Sequence, residues 1–282
     1  MTEYVVYDVF TDTAFGGNQL AVFPDATTLH EDKLQQIAAE FNYSEVTFVY
    51  PSENPDNTAK VRIFTPTSEI PFAGHPIIGT VIALANQGTP APMVLELGVG
   101  PLRCTLDGNN AAFTTEVPLE RFAEPAIDLV AAAVGIDPGK INTTTHNPIQ
   151  AGLGLPFVLV ELTDRGSLAA CVPDTSVFRQ GAKRYPTGLD FAVFAYVRDG
   201  GTISSRMFAP LDNIPEDPAT GSASAALAAM LTDLLGGPQT LTYTQGQDMG
   251  RTSKIFATTT HNPTSVTISG TAIKTMAGRF IL

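Results

Sequence analysis

The sequence predicts an α+β protein of two pseudo-symmetric lobes, each a curled mixed β-sheet or barrel around one central helix. Three observations lead there. The stretch Arg62–Ile82, RIFTPTSEIPFAGHPIIGTVI, returns 144 positions later as Arg206–Ala226, RMFAPLDNIPEDPATGSASAA. Arg62/Arg206, Phe64/Phe208, Pro66/Pro210, Ile70/Ile214 and Pro71/Pro215 coincide without a gap. Such self-similarity marks a duplicated unit. Both copies also continue alike, with a strand-like apolar pair, a proline-bounded turn, and a glycine opening an apolar helix. Neither helix has a polar face. Ile77, Ile78, Val81, Ile82, Leu84 and Ala85 line the first, and Ala223 to Met230 are nearly all Ala, Leu, Ser and Met. A helix apolar all round is buried. Finally, strand-like segments outnumber helical ones in both halves. Two lobes facing each other across a cleft are expected, with the helix beginnings as the functional ends.

In chain order, Tyr4–Phe10 reads as a first strand, 15–18 as a Gly-rich turn and Gln19–Phe23 as a second strand. Leu34, Ile37, Ala38 and Phe41 follow helical spacing, which predicts a helix over 31–41. Val46–Tyr50 is a strand, so Ser44 and Glu45 stand at a helix-to-strand junction. Lys60–Thr65 is the next strand, and the first central helix spans about Pro76–Gln87, ended by Gly88 and TPAP. Strands at 94–97, 102–106 and 111–116 form a meander. Residues 118–125 are a crossover, dividing a lobe of residues 1–118 from one of 119–271. A helix over 126–134 stops at Gly135. Strands follow at 157–162, 191–197, 203–208, 241–244, 253–258 and 265–269, with a last strand over Ala272–Leu282. TTTHNP occurs at both 143–148 and 258–263, out of step with the repeat, and reads as two similar polar turns.

With 282 residues, 44% hydrophobic and 16% charged, the chain suits one large domain or two smaller ones with substantial cores. No apolar run reaches membrane-span length, and MTEYVVYDVF lacks the marks of a signal peptide, so a cytoplasmic protein without a membrane partner is expected. The net charge of −12 argues against nucleic acid, which demands clustered Lys and Arg. Cys104 and Cys171 are far apart and form no CxxC pair, so core positions are expected for both. His30, His146 and His261 show no ligand spacing, and no metal site is expected. GLGLP at 152–156 lacks the strand–turn–helix setting and trailing acid of a dinucleotide fingerprint.

The start of a buried helix is an electrical feature, because its first N–H groups lack intrahelical partners and the dipole adds positive potential. Gly74 and Gly221 keep side-chain bulk away from those two starts. They suit a small anionic substrate, or a charge developing during reaction. Ordinary capping by Thr220 or Ser222 is the alternative. His75, Asp217 and Glu45 are the titratable residues near these ends, and a carboxylate in a dry cleft can exchange protons near neutral pH. Each also has a plainer explanation, as helix-start, turn and surface residues.

The segments GGNQLAVF (16–23), NYSEVTFV (42–49), RIFTPTSEIPFAGHPIIGT (62–80), EDPATGSASAAL (216–227) and QGQDMGRTS (245–253) resemble the PhzF-like family of phenazine biosynthesis. They keep the family's order and span nearly the whole chain. The resemblance implies the diaminopimelate-epimerase-like fold, with the terminal strand 272–282 returning to the first lobe. It also implies isomerisation of a trans-2,3-dihydro-3-hydroxyanthranilate-like acid without metal or organic cofactor. Glu45 would carry the proton between ring carbons, His75 would assist, and Asp217 would hold the amino group. Gly74, Gly221 and Ser222 would receive the carboxylate, with Asn18 and Ser44 bordering the site. Family habit suggests a homodimer. Epimerases on this fold use two opposed cysteines, but neither AGH at 73–75 nor PATG at 218–221 holds one, which leaves one-base proton transfer. A non-catalytic small-molecule binding protein, or a hydrolase or lyase of small cyclic acids, are the alternatives.

Overall fold

The computed structural model describes residues 1–187 and 191–281. Within them the chain divides into two compact units, 1–115 together with the strand from Thr267, and 116–266. Leu282, the end of the predicted last strand, lies outside the described residues.

In the first unit, β1 (Thr2–Val9) and β2 (Asn18–Phe23) run antiparallel. A crossover containing α1 (Leu34–Phe41) sets β3 (Glu45–Tyr50) parallel to β2, since parallel neighbours cannot be joined by a tight turn. β4 (Ala59–Phe64) returns antiparallel to β3, and β5 (Glu69–Ile70) folds back on β4. Then comes α2 (Gly74–Ala85), which starts two residues before the expected Pro76 and so holds that proline inside its first turn. A proline there forfeits no intrahelical bond. β6 (Met93–Leu97) lies parallel to β4, and β7 (Gly100–Asp107) and β8 (Asn110–Thr115) continue as an antiparallel meander.

Every residue of α2 from Gly74 to Leu84 is buried. The helix packs on β1, β2, β3, β7 and β8, and each fully buried Ile or Leu there contributes about 1.5–3 kcal/mol. At Gly79 helix and sheet nearly touch. A Cβ would stand 2.5 Å from Leu20 Cδ2 and 2.8 Å from Val9 Cγ2.

The second unit begins with β9 (Glu120–Ala123), a strand where a plain crossover was expected. Its partner is β10 (Ile149–Gly152), reached through α3 (Ile127–Ala133). β10 and β11 (Pro156–Glu161) form a hairpin in which GLGLP is the turn. Two further helices escaped the periodicity reading, α4 (Arg165–Ala169) and α5 (Thr175–Arg184). Each starts at an Asp side chain, Asp164 and Asp174, that accepts backbone N–H groups. With α3, α5 covers a core of Val158, Val160, Phe178, Phe191, Val193 and Phe208. β12 (Val193–Asp199), β13 (Thr202–Ala209), β14 (Ile214–Asp217), α6 (Gly221–Leu235), β15 (Thr240–Gln245) and β16 (Ser253–Thr260) follow. The last two predicted strands are one, β17 (Ser265–Phe280). It pairs with β1 and β8, closing the ring β17–β1–β2–β3–β4–β6–β7–β8 around α2.

The pairing signs of the two halves agree step by step. β1/β2, β3/β4, β4/β5 and β6/β7 are antiparallel, and so are β10/β11, β12/β13, β13/β14 and β15/β16. β2/β3 and β4/β6 are parallel, as are β11/β12 and β13/β15. The register corrects the gapless repeat, however. Ile63 pairs with Ile70, but Met207 pairs with Asp217. Three extra residues sit in the second copy, taken up by a 3₁₀ turn at Pro210–Asp212 and left-handed Asn213. Asp217, not Ile214, therefore occupies the place of Ile70. Gly74 and Gly221 then begin their helices at equivalent points, and His75 corresponds to Ser222.

Candidate active site

Glu45 is the first residue of β3, level with Leu20 of β2. His75 is the second residue of α2. The two elements are tied in register by a buried hydroxyl pair, Thr47 Oγ1 and Thr80 Oγ1, 3.0 Å apart. As a result, His75 Nδ1 lies 3.4 Å from Glu45 Oε2 and 3.4 Å from Asn18 Nδ2. Asn18 and His75 are 2% and 4% exposed, whereas the Glu45 side chain keeps 14%. Burial lowers the His75 pKa from 6.5 to about 3, and a backbone hydrogen bond to Gln19 opposes this only in part. The imidazole is neutral near pH 7. Its contact with Glu45 is thus a polar contact at the outer limit of a hydrogen bond, not an ion pair. Apo sites commonly hold such contacts long until substrate tightens them. Ser44 is half-buried beside Glu45, and Gly74 is buried at the helix start.

In the second unit Asp217 ends β14, 5% exposed, and Gly221 and Ser222 open α6. The capping alternative fails at both helices. Ala73 and Thr220 are the residues before α2 and α6, and neither makes a side-chain cap hydrogen bond. The Thr220 hydroxyl donates instead to Asp217 Oδ2 at 2.5 Å. Both helix starts thereby keep the electrostatic character of an uncapped end.

Arg206 anchors the strand that carries Asp217. Its Nε and Nη2 donate to Glu216 at 2.8 and 2.7 Å, and its Nη1 donates to the carbonyls of Leu168, Ala169 and Cys171. Arg62 repeats the device with Glu69, at 2.8 and 2.6 Å. This explains why Arg and Phe persist in both copies, each guanidinium also lying over the following Phe ring.

Gln245 was overlooked by sequence reasoning. It is buried and hydrogen-bonded to both Asp217 and Thr220, and the only signal was its place in QGQDMGRTS. Both cysteines are buried, which pushes the Cys104 thiol up to about 12 and that of Cys171 up to about 11. Among the described residues no three His, Cys, Asp or Glu side chains gather as a metal site, and no helix is long and apolar enough to cross a membrane.

The sequence model of the phenazine biosynthesis-like protein family matches residues 7–278. The chain belongs to that family. Trans-2,3-dihydro-3-hydroxyanthranilate isomerase of Pseudomonas aeruginosa is 35% identical, over 91% of this chain and 90% of that one. An uncharacterized isomerase of Mesorhizobium japonicum is 34% identical over 99% and 98%. In structure, a PhzF-family protein of Bacillus anthracis superposes with a TM-score of 0.88, covering 100% of this chain and 99% of its own, at 22% identity. The fold is the shared one, and this PhzF-family chain is an isomerase, in line with the names of these two relatives.

Proposed function

We propose that this PhzF-family isomerase moves a proton on a small ring acid of the dihydro-hydroxyanthranilate kind, with Glu45 as its single acid/base and no cofactor. The asymmetry of the duplicated halves carries this reading. Val46 faces Phe64 as Val193 faces Phe208, so the place of Glu45 is taken in the second half by Ala192. At this equivalent position a carboxylate stands in one half only, which suits removal and return of a proton by one carboxylate. Two-base inversion needs a group in each half. Glu45 takes a proton from one ring carbon, the electron pair spreads through the conjugated ring, and the same carboxyl returns the proton to another carbon. His75, neutral, packs against the carboxyl without adding a competing charge. Gly74, Gly221 and Ser222 bind the substrate carboxylate through helix-start N–H groups, Asp217 takes the amino group, and Asn18 and Ser44 complete the binding residues.

The test is turnover of trans-2,3-dihydro-3-hydroxyanthranilate in D2O. Wild type is expected to incorporate deuterium at a ring carbon. Glu45→Gln should lose about 10²–10⁴-fold in rate while its melting behaviour and ligand affinity stay close to wild type. Deuterium incorporation at the wild-type rate in that variant rules out the assignment.

A further inference from the structure

EDPATGSASAAL and QGQDMGRTS lie well apart in sequence, yet one buried side chain joins them. Gln245, at the end of β15, is 0% exposed. Its Oε1 accepts from the Thr220 backbone N–H at 3.2 Å, and its Nε2 donates to the Asp217 carbonyl at 2.8 Å and to Thr220 Oγ1 at 2.9 Å. A backbone N–H only donates and a carbonyl only accepts, so the amide has one permitted orientation. Its remaining Nε2 hydrogen is directed at Thr220 Oγ1. The hydroxyl's own hydrogen is then left for Asp217 Oδ2, 2.5 Å away. The chain runs one way, from Gln245 through Thr220 to the carboxylate, and such chains strengthen cooperatively.

Thr220 also departs from ordinary behaviour. A threonine preceding a helix normally turns its oxygen to the first backbone N–H groups, but here it turns to Asp217. The rest of the second motif braces the same turn. Ser253 Oγ donates to the Pro218 carbonyl at 2.7 Å. Gly246 adopts φ +72°, and a Cβ there would collide with the carbonyl oxygens of Arg251 and Pro218.

We infer that Thr220 and Gln245 are positioning residues that hold the Asp217 carboxylate in the orientation it presents to substrate. The effect on turnover rests on the role given to Asp217 above, while the effect on its orientation does not.

Crystal structures and kinetics of Thr220→Val, Thr220→Ser, Gln245→Leu and the Thr220→Val/Gln245→Leu double variant test this, with trans-2,3-dihydro-3-hydroxyanthranilate as substrate. Thr220→Val keeps the shape without the hydroxyl, and its Asp217 side chain should rotate away from the wild-type position. Thr220→Ser should leave it in place. Thr220→Val and Gln245→Leu should each lower kcat/KM by about 10–100-fold. The double variant should be no worse than the poorer single one, because both break one chain. An unmoved Asp217 in Thr220→Val, equal damage from Thr220→Ser, or losses that multiply would overturn the inference. Should Gln245→Leu fail to fold, the two Thr220 variants still decide. Asp217→Asn with wild-type turnover would remove the catalytic setting alone, leaving the orientation to the crystallographic comparison.

Discussion

His75 shows how placement rather than residue type decides chemistry. In sequence it is one of four histidines; in the structure burial holds it neutral until about pH 3. The unfolded chain takes up that proton near pH 6.5, the folded protein only near 3, so the unfolded state binds more protons between these values. Stability from this residue is therefore complete above pH 6.5 and declines as pH falls toward 3, by about 1.4 kcal/mol per pH unit. Denaturant unfolding at stepped pH should show this slope in wild type and its loss in His75→Gln. Equal slopes would mean the ring takes up its proton in the folded state. The contact of His75 with Glu45 and Asn18 was not legible beforehand, because residues 18, 45 and 75 meet only through strand pairing and a helix threaded beside it.

The Arg–Glu clamps show one element-level device in two settings. Arg206 has a side chain 9% exposed and holds three carbonyls besides Glu216. Arg62 is 22% exposed, and its partners Glu69 and Glu31 are 42% and 81% exposed. Arg206→Met should cost about 3–5 kcal/mol, since it strands a largely buried carboxylate, and Arg62→Met about 0–1 kcal/mol. Chemical denaturation of both variants gives the comparison, and equal costs would contradict it. In α2, Gly79→Val should destabilise by about 1–3 kcal/mol or more through overpacking against Leu20 and Val9. A melting temperature equal to wild type would show that the helix can shift away. Arg62/Arg206 and Phe64/Phe208 were informative in sequence because they mark equivalent strands. Ile70/Ile214 and Pro71/Pro215 misled, because three inserted residues in a turn leave no trace in a gapless comparison.

For the molecule as a whole, the last strand makes the first unit depend on the end of the chain. β17 lies between β1 and β8 in the ring around α2, so deletion from Ala272 onward should expose α2 and leave the first unit unfolded. Limited proteolysis should then cut within residues 1–115 of the truncated chain; resistance equal to the full chain would refute this. The sequence by itself determined the duplication, the two buried helices, the family and the residue types available for proton transfer. These are written in local periodicity and in short motifs, which need no long-range contact to be read. Only the tertiary structure decided that Glu45 meets His75 and Asn18, that Thr220 serves Asp217 instead of its helix, and that Asp217 stands where Ile70 does. Those facts depend on the register between strands distant in sequence, and register is set by packing of the whole fold.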